Sequence, residues 1–130
     1  MKIDYDTRDT IMNVIRSEIL HAGSAIEFYD LANLASPVCT LPFDALDTTG
    51  APGNVEYQFS KNSNVVLRND CNLDGDVSVA YIRNNSNSII ITASVGDVGS
   101  LADIVFNKRQ WTIGMIVTVN NLRLVIPEGI

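Results

Sequence analysis

The segment GDVSVAYIRNNSNSIIITASVG, Gly75 to Gly96, decides how the chain is read. Val77, Val79 and Tyr81 alternate with Asp76, Ser78 and Ala80, the period of two expected of a strand with one buried face. Asn84-Asn85-Ser86-Asn87 is a run of turn formers, and Ser88–Val95 reads as the next strand. The triplet Ile89-Ile90-Ile91 interrupts the alternation. If Ile89 and Ile91 face the core, Ile90 points the other way and needs cover, from an N-terminal helix or from a neighbouring subunit. Ile90 is therefore an interface candidate.

The same logic extends outward. Upstream, Ala25–Tyr29 and Val38–Phe43 are short strands separated by a loop with Pro37, and Val55, Tyr57 and Phe59 alternate with Glu56, Gln58 and Ser60. Val65–Arg68 follows a KNSN turn, and Asp44–Asn54 is the longest loop by composition. Downstream, Met115, Val117 and Val119 occupy odd positions, whereas Leu122, Leu124 and Ile126 occupy even ones. This slip at Asn120-Asn121 fits either a two-residue hairpin turn that sets Val119 opposite Leu122 or a bulge in one long strand.

One segment alone has helical period. Ile11, Ile15 and Ile19 recur at i, i+4 and i+8, with Asp6 or Asp9 as cap and His21 and Gly23 as stop signals. The spacing predicts a helix over about residues 7–22 behind a short arm, residues 1–5, with strands over about residues 24–127. The expected fold is mainly β, a single β-sandwich or jelly-roll-like domain over residues 6–130 preceded by one amphipathic helix.

Composition narrows the function. The chain has 130 residues, 46% hydrophobic, and a formal net charge of −6. Its nine Lys and Arg residues are scattered, with Lys108-Arg109 the only adjacent pair, so neither nucleic acid nor an anionic membrane is an expected partner. Met1–Thr10 is polar and lacks the apolar core of a signal peptide. No run approaches the ~18 apolar residues of a membrane-spanning helix. With no export signal in view, Cys39 and Cys71 are expected as small, partly buried, reduced thiols; a Cys39–Cys71 disulfide is the alternative, whose proximity spacing alone cannot show.

Catalysis leaves no signature. His21 is the only histidine and sits where it would cap a helix, and Cys39 has no sequence-marked activating partner. No G-x-S-x-G, H-E-x-x-H, C-x-x-C or P-loop occurs. An enzyme is not expected, and no cofactor is implied. Trp111, beside Lys108 and Arg109, reads as core or interface packing, with a sugar-stacking platform as the alternative.

One stretch resembles a metal loop. In NDCNLDGD, Asn69–Asp76, the residues Asp70, Asn72, Asp74 and Gly75 fit D-x-[DN]-x-[DN]-G. An EF-hand would need Glu at the twelfth position, which is Tyr81, and a helix where a strand follows. That excludes an EF-hand. Calcium held by Asp70, Asn72 and Asp74 with ligands from elsewhere stays open, next to a polar turn in which Gly75 takes positive φ.

Beyond these local readings, Gly75–Glu128 carries a wider pattern. A Gly-led strand ends in Arg83, a polar turn follows, and the next strand closes on Ser94-Val95-Gly96. Then come G-x-x-A-D-I-x-x-N at Gly99–Asn107, Gly114 before the last strands, and V-x-V-x-x-L-x-L-x-I-P at Val117–Pro127. Together with Gly23–Asp30 after the helix, the pattern resembles small virion structural proteins of tailed bacteriophages, of the head decoration or cement kind. The resemblance implies a non-enzymatic protein made in the host cytoplasm and carried on the virion, most naturally the head surface. It implies contacts with the major capsid protein or other virion proteins and a homo-oligomer, with a trimer favoured. Ile90, the arm Met1–Tyr5 and the C-terminal Ile130 are the contact features expected on that reading, and Trp111 is the further interface candidate. A tail, neck or fibre-attachment component is the alternative within virions. A carbohydrate-binding β-sandwich using Trp111 and the Asp70–Asp76 loop is the alternative outside them.

Overall fold

A computed structural model describes residues 2–19, 23–43, 56–59, 67–119 and 122–125. The chain is mainly β, with one helix, α1 (Tyr5–Ile19). Ten strands follow: β1 (Ala25–Asp30), β2 (Cys39–Pro42), β3 (Glu56–Phe59), β4 (Leu67–Asp70), β5 (Gly75–Arg83), β6 (Ile89–Asp97), β7 (Ile104–Phe106), β8 (Gln110–Trp111), β9 (Ile116–Val119) and β10 (Leu122–Val125). The largest sheet runs β2-β1-β5-β6-β7, with β8 paired to one end of β5. Two ribbons, β4 with β9 and β10 with β3, complete the described strands. No helix among the described residues is long and apolar enough to cross a membrane.

The helix begins two residues earlier than its spacing predicts. Arg8 N–H donates to Asp4 O at 3.0 Å, and Asp6 lies in the first turn, where its charge suits the helix dipole. Its inward stripe is also rotated: Met12 and Ile19 are fully buried and Ile15 packs on the core, whereas Ile11 is 37% exposed. His21 and the loop Asp44–Asn54 lie outside the described residues. Gly23 takes φ 92°, in keeping with a stop after the helix.

The alternation of Gly75–Gly96 is broken twice, and each break is a bulge. Tyr29 is opposite Val79 but Asp30 is opposite Val77, so Ser78 is the extra residue on β5. Past that point the phase inverts: Val77, Ala80 and Ile82 join the core, while Tyr81 turns to the other face. The reading that put Val79 and Tyr81 on the core face with Val77 is corrected there. On the other face the Tyr29 and Tyr81 rings meet at 5.1 Å, tilted by 53°, and Glu27 pairs with Arg83.

The second bulge resolves the isoleucine triplet. Ile82 is opposite Ile91 and Arg83 is opposite Ile89, which leaves Ile90 as the inserted residue. Ile90 and Ile91 both pack against the core, as does Ile15 of α1, and Ile89 is the one left 46% exposed. Between β5 and β6, Asn84 Oδ1 accepts from Ser86 N–H and Ser88 N–H at 3.1 and 2.9 Å. Its Nδ2 donates to Glu18 Oε2 at 2.9 Å, tying this turn to the helix.

The phase slip near the C-terminus reflects a change of partner. Val119 is registered with Leu67 of β4 and Leu122 with Phe59 of β3, rather than with each other as a hairpin requires. Asn120 and Asn121 themselves lie outside the described residues. The buried core joins the two sheet systems: Phe28, Leu41, Val77 and Ile82 from the large sheet meet Leu67 and Val117 from the β4–β9 ribbon.

Candidate functional site

Half of the carboxylate stretch is strand rather than turn. Asn69 and Asp70 end β4 and Gly75 and Asp76 begin β5, so only Cys71–Asp74 connect them. Asp74 Oδ1 accepts Ile113 N–H at 2.8 Å, and Asn69 Nδ2 donates to Thr40 O at 2.8 Å. Asn72 N–H donates to Val38 O at 2.8 Å, and the Asp70 side chain is exposed. Asp70, Asn72 and Asp74 thus have separate surroundings. No group of three or more His, Cys, Asp or Glu residues suited to an ion occurs among the described residues.

Gly75 is not a positive-φ glycine. A Cβ there would lie 2.6 Å from Val38 Cγ2, so the glycine serves the close approach of β5 to the residues before β2. Among the described residues, the left-handed glycines are Gly23, Gly99 and Gly114.

Trp111 is 1% exposed and therefore is neither a stacking platform nor a contact surface. Its ring meets Phe28 and Phe106 edge-on at 5.3 and 5.0 Å, and its Nε1 donates to Lys108 O at 2.6 Å. Ile90 is likewise core-packed in this chain, and Ile130 lies outside the described residues. Of the arm, Ile3 O accepts from Arg8 Nε at 3.0 Å, and Tyr5 already belongs to the helix.

The organised surface feature lies elsewhere, where β6 and β7 join. The two strands are parallel, Val95 opposite Ile104, although only Val98–Asp103 connect them. Parallel neighbours usually need a crossover of a dozen residues or more. Here the connection folds back over its own strand: a Cβ at Gly96 would lie 2.8 Å from Ala102 Cβ. Gly99 makes the reversal at φ 89°, and Ser100 N–H donates to Asp97 O at 3.0 Å.

Both ends of this turn are clamped. Asp103 Oδ2 accepts Ser94 N–H at 2.9 Å and Ser94 Oγ at 3.1 Å, while Asp103 N–H donates to Ser94 Oγ at 2.9 Å. Arg109 Nε and Nη2 donate to Asp97 at 3.0 and 3.2 Å, and Nη1 reaches Asp76 at 3.2 Å. The Arg109 guanidinium holds the Asp97 carboxyl below the ordinary aspartate range.

On this turn Leu101 is fully exposed and Val98 is 68% exposed, and Val105 on β7 is exposed as well. β7 ends the sheet, so one of its edges is unpaired among the described strands. Beyond β7 lies an open cleft of about 240 Å³ lined by Phe106, Lys108, Trp111, Met115, Ile116 and Val117, with Ile116 half exposed at its rim. Apolar side chains on a fixed backbone suit protein–protein contact, because little conformational freedom is lost when they are covered. Sequence reasoning missed the turn. Its signal, Gly96 and Gly99 around Val98 and Leu101, looks the same as that of an ordinary loop.

Comparison with protein-family models, with curated proteins and with solved structures finds no match for this chain.

Proposed function

We propose that this chain is a non-enzymatic virion structural protein, a capsid decoration or cement protein of a tailed bacteriophage. On this reading it binds the major capsid protein at the head surface as a small homo-oligomer, with a trimer as the expected order. The observation that carries the reading is Leu101, fully exposed beside Val98 on a turn clamped by Ser94, Asp103 and Arg109. A lattice protein gains from such a contact many times over, since each weak apolar junction is repeated across the particle. The Gly75–Glu128 pattern described above supplies the virion context. A jelly-roll-like sandwich, with the two ribbons closing over the large sheet, is the architecture that belongs with this proposal.

The test is addition of purified protein to phage heads that lack it, followed by cryo-EM and by light scattering of the free protein. Binding to heads and a trimer in solution are expected. Leu101→Asp should reduce head occupancy at least tenfold while leaving the melting temperature within about 2 °C, as for a surface change. Density on the tail or neck would move the protein there. A monomer at high concentration with no affinity for heads would sink the reading.

A further inference from the structure

We propose that Cys39 and Cys71 form an oxidation site, a dithiol pair that a small-molecule disulfide converts to an intramolecular disulfide across the seam between the two sheet systems. Both thiols are free and buried. They are also neighbours: Cys39 Sγ lies 3.9 Å from Asn69 O, two residues before Cys71. Cys39 Sγ also lies 3.7 Å from Asp70 O, the carbonyl joined to the Cys71 amide. The backbone sets this juxtaposition, because Val38 O accepts from Asn72 N–H at 2.8 Å and Thr40 O accepts from Asn69 Nδ2 at 2.8 Å. Residues 38–40 therefore run against 72–69, with Cys39 facing Cys71.

The position gives the bond a purpose. β2 is the outer strand of the large sheet and β4 belongs to a ribbon, and no strand register joins them among the described residues. A Cys39–Cys71 bond would join these elements covalently where few hydrogen bonds do.

The chemistry balances with a disulfide of the glutathione class as oxidant. A Cys71 thiolate attacks one sulfur of the oxidant and releases one small thiol. The Cys39 thiolate then attacks the Cys71 sulfur of the mixed disulfide and releases the second. Two protein thiols lose two electrons and two protons, and one small disulfide becomes two thiols. Burial, the neighbouring Cys71 and Asp70 push the Cys39 thiol up to about 12. The reaction in the folded protein is accordingly slow and needs the seam to open, whereas oxidation during refolding is not so limited.

The test uses the full chain with oxidised or reduced glutathione, both folded and during refolding from denaturant. Intact mass, a peptide map and melting temperature are the readouts. Expected after oxidative refolding are the loss of two hydrogens, a Cys39–Cys71 cross-linked peptide and a melting temperature higher by roughly 10 °C, reversed by dithiothreitol. Cys39→Ala and Cys71→Ala should each abolish the difference between the two buffers. A single-cysteine glutathione adduct, an intermolecular dimer, or two free thiols in the peptide map after oxidative refolding would overturn the proposal, and these readings require no variant.

Discussion

A methyl group added at Gly75 would have to occupy space held by Val38, whose Cγ2 lies 2.6 Å from that position. Gly75→Ala is therefore expected to push β5 away from the residues before β2 and to cost about 1–3 kcal/mol in urea unfolding. A loss below about 0.5 kcal/mol would show that Val38 yields freely. Asp30 is a second residue whose part is local. Its carboxylate accepts Ala32 N–H at 2.9 Å and Asp76 N–H at 3.0 Å, which hold it below the ordinary aspartate range. A depressed carboxylate contributes stability that is complete above its unfolded value and is lost as pH falls through its folded one. Acid titration of the unfolding free energy should show such a loss as pH falls through and below the ordinary aspartate range, and Asp30→Asn should remove that component. At this scale the sequence names the glycine and the aspartate but not their tasks. Gly75 reads as a turn residue because its decisive neighbour, Val38, is remote in the chain.

Among the elements, the helix shows how a correct period can give the wrong face. Ile11, Met12, Ile15 and Ile19 satisfy helical spacing in two overlapping ways, and hydrophobicity favours the isoleucines. Burial in the folded chain selects Met12, which is fully buried, over Ile11, which is exposed. Met12→Ala should cost about 2–4 kcal/mol and Ile11→Ala about 0.5 kcal/mol or less, measured by thermal or chemical unfolding. Equal losses would restore the isoleucine stripe. The strands were legible for the same reason that their faces were not. Alternation marks Gly75–Arg83 and Ile89–Asp97 as strands, but one inserted residue, Ser78 or Ile90, inverts everything beyond it without altering the local pattern. The clamped turn at 97–103 escaped notice because the Ser94–Asp103 bonds join residues that a linear reading assigns to different elements.

At the scale of the molecule, composition and alternation sufficed for a mainly β chain with one leading helix, whereas strand order did not follow from them. Partner choice depends on contacts distant in sequence: β1 pairs with β5, β4 with β9 and β3 with β10. The candidate surface was illegible for the same cause, since Leu101 and Val98 become conspicuous only once the core has claimed Ile90 and Trp111. Such topology should fold slowly. Refolding followed by Trp111 fluorescence is expected in the millisecond-to-second range, and microsecond relaxation would imply that local contacts dominate. The pairing order also bears on synthesis. A ribosome releases β3 and β4 well before β10 and β9, so for that interval both strands are extended segments without their native neighbours. Both ribbons consequently wait for residues 116–125, and a nascent chain halted before Ile116 would lack the native partners of β3 and β4.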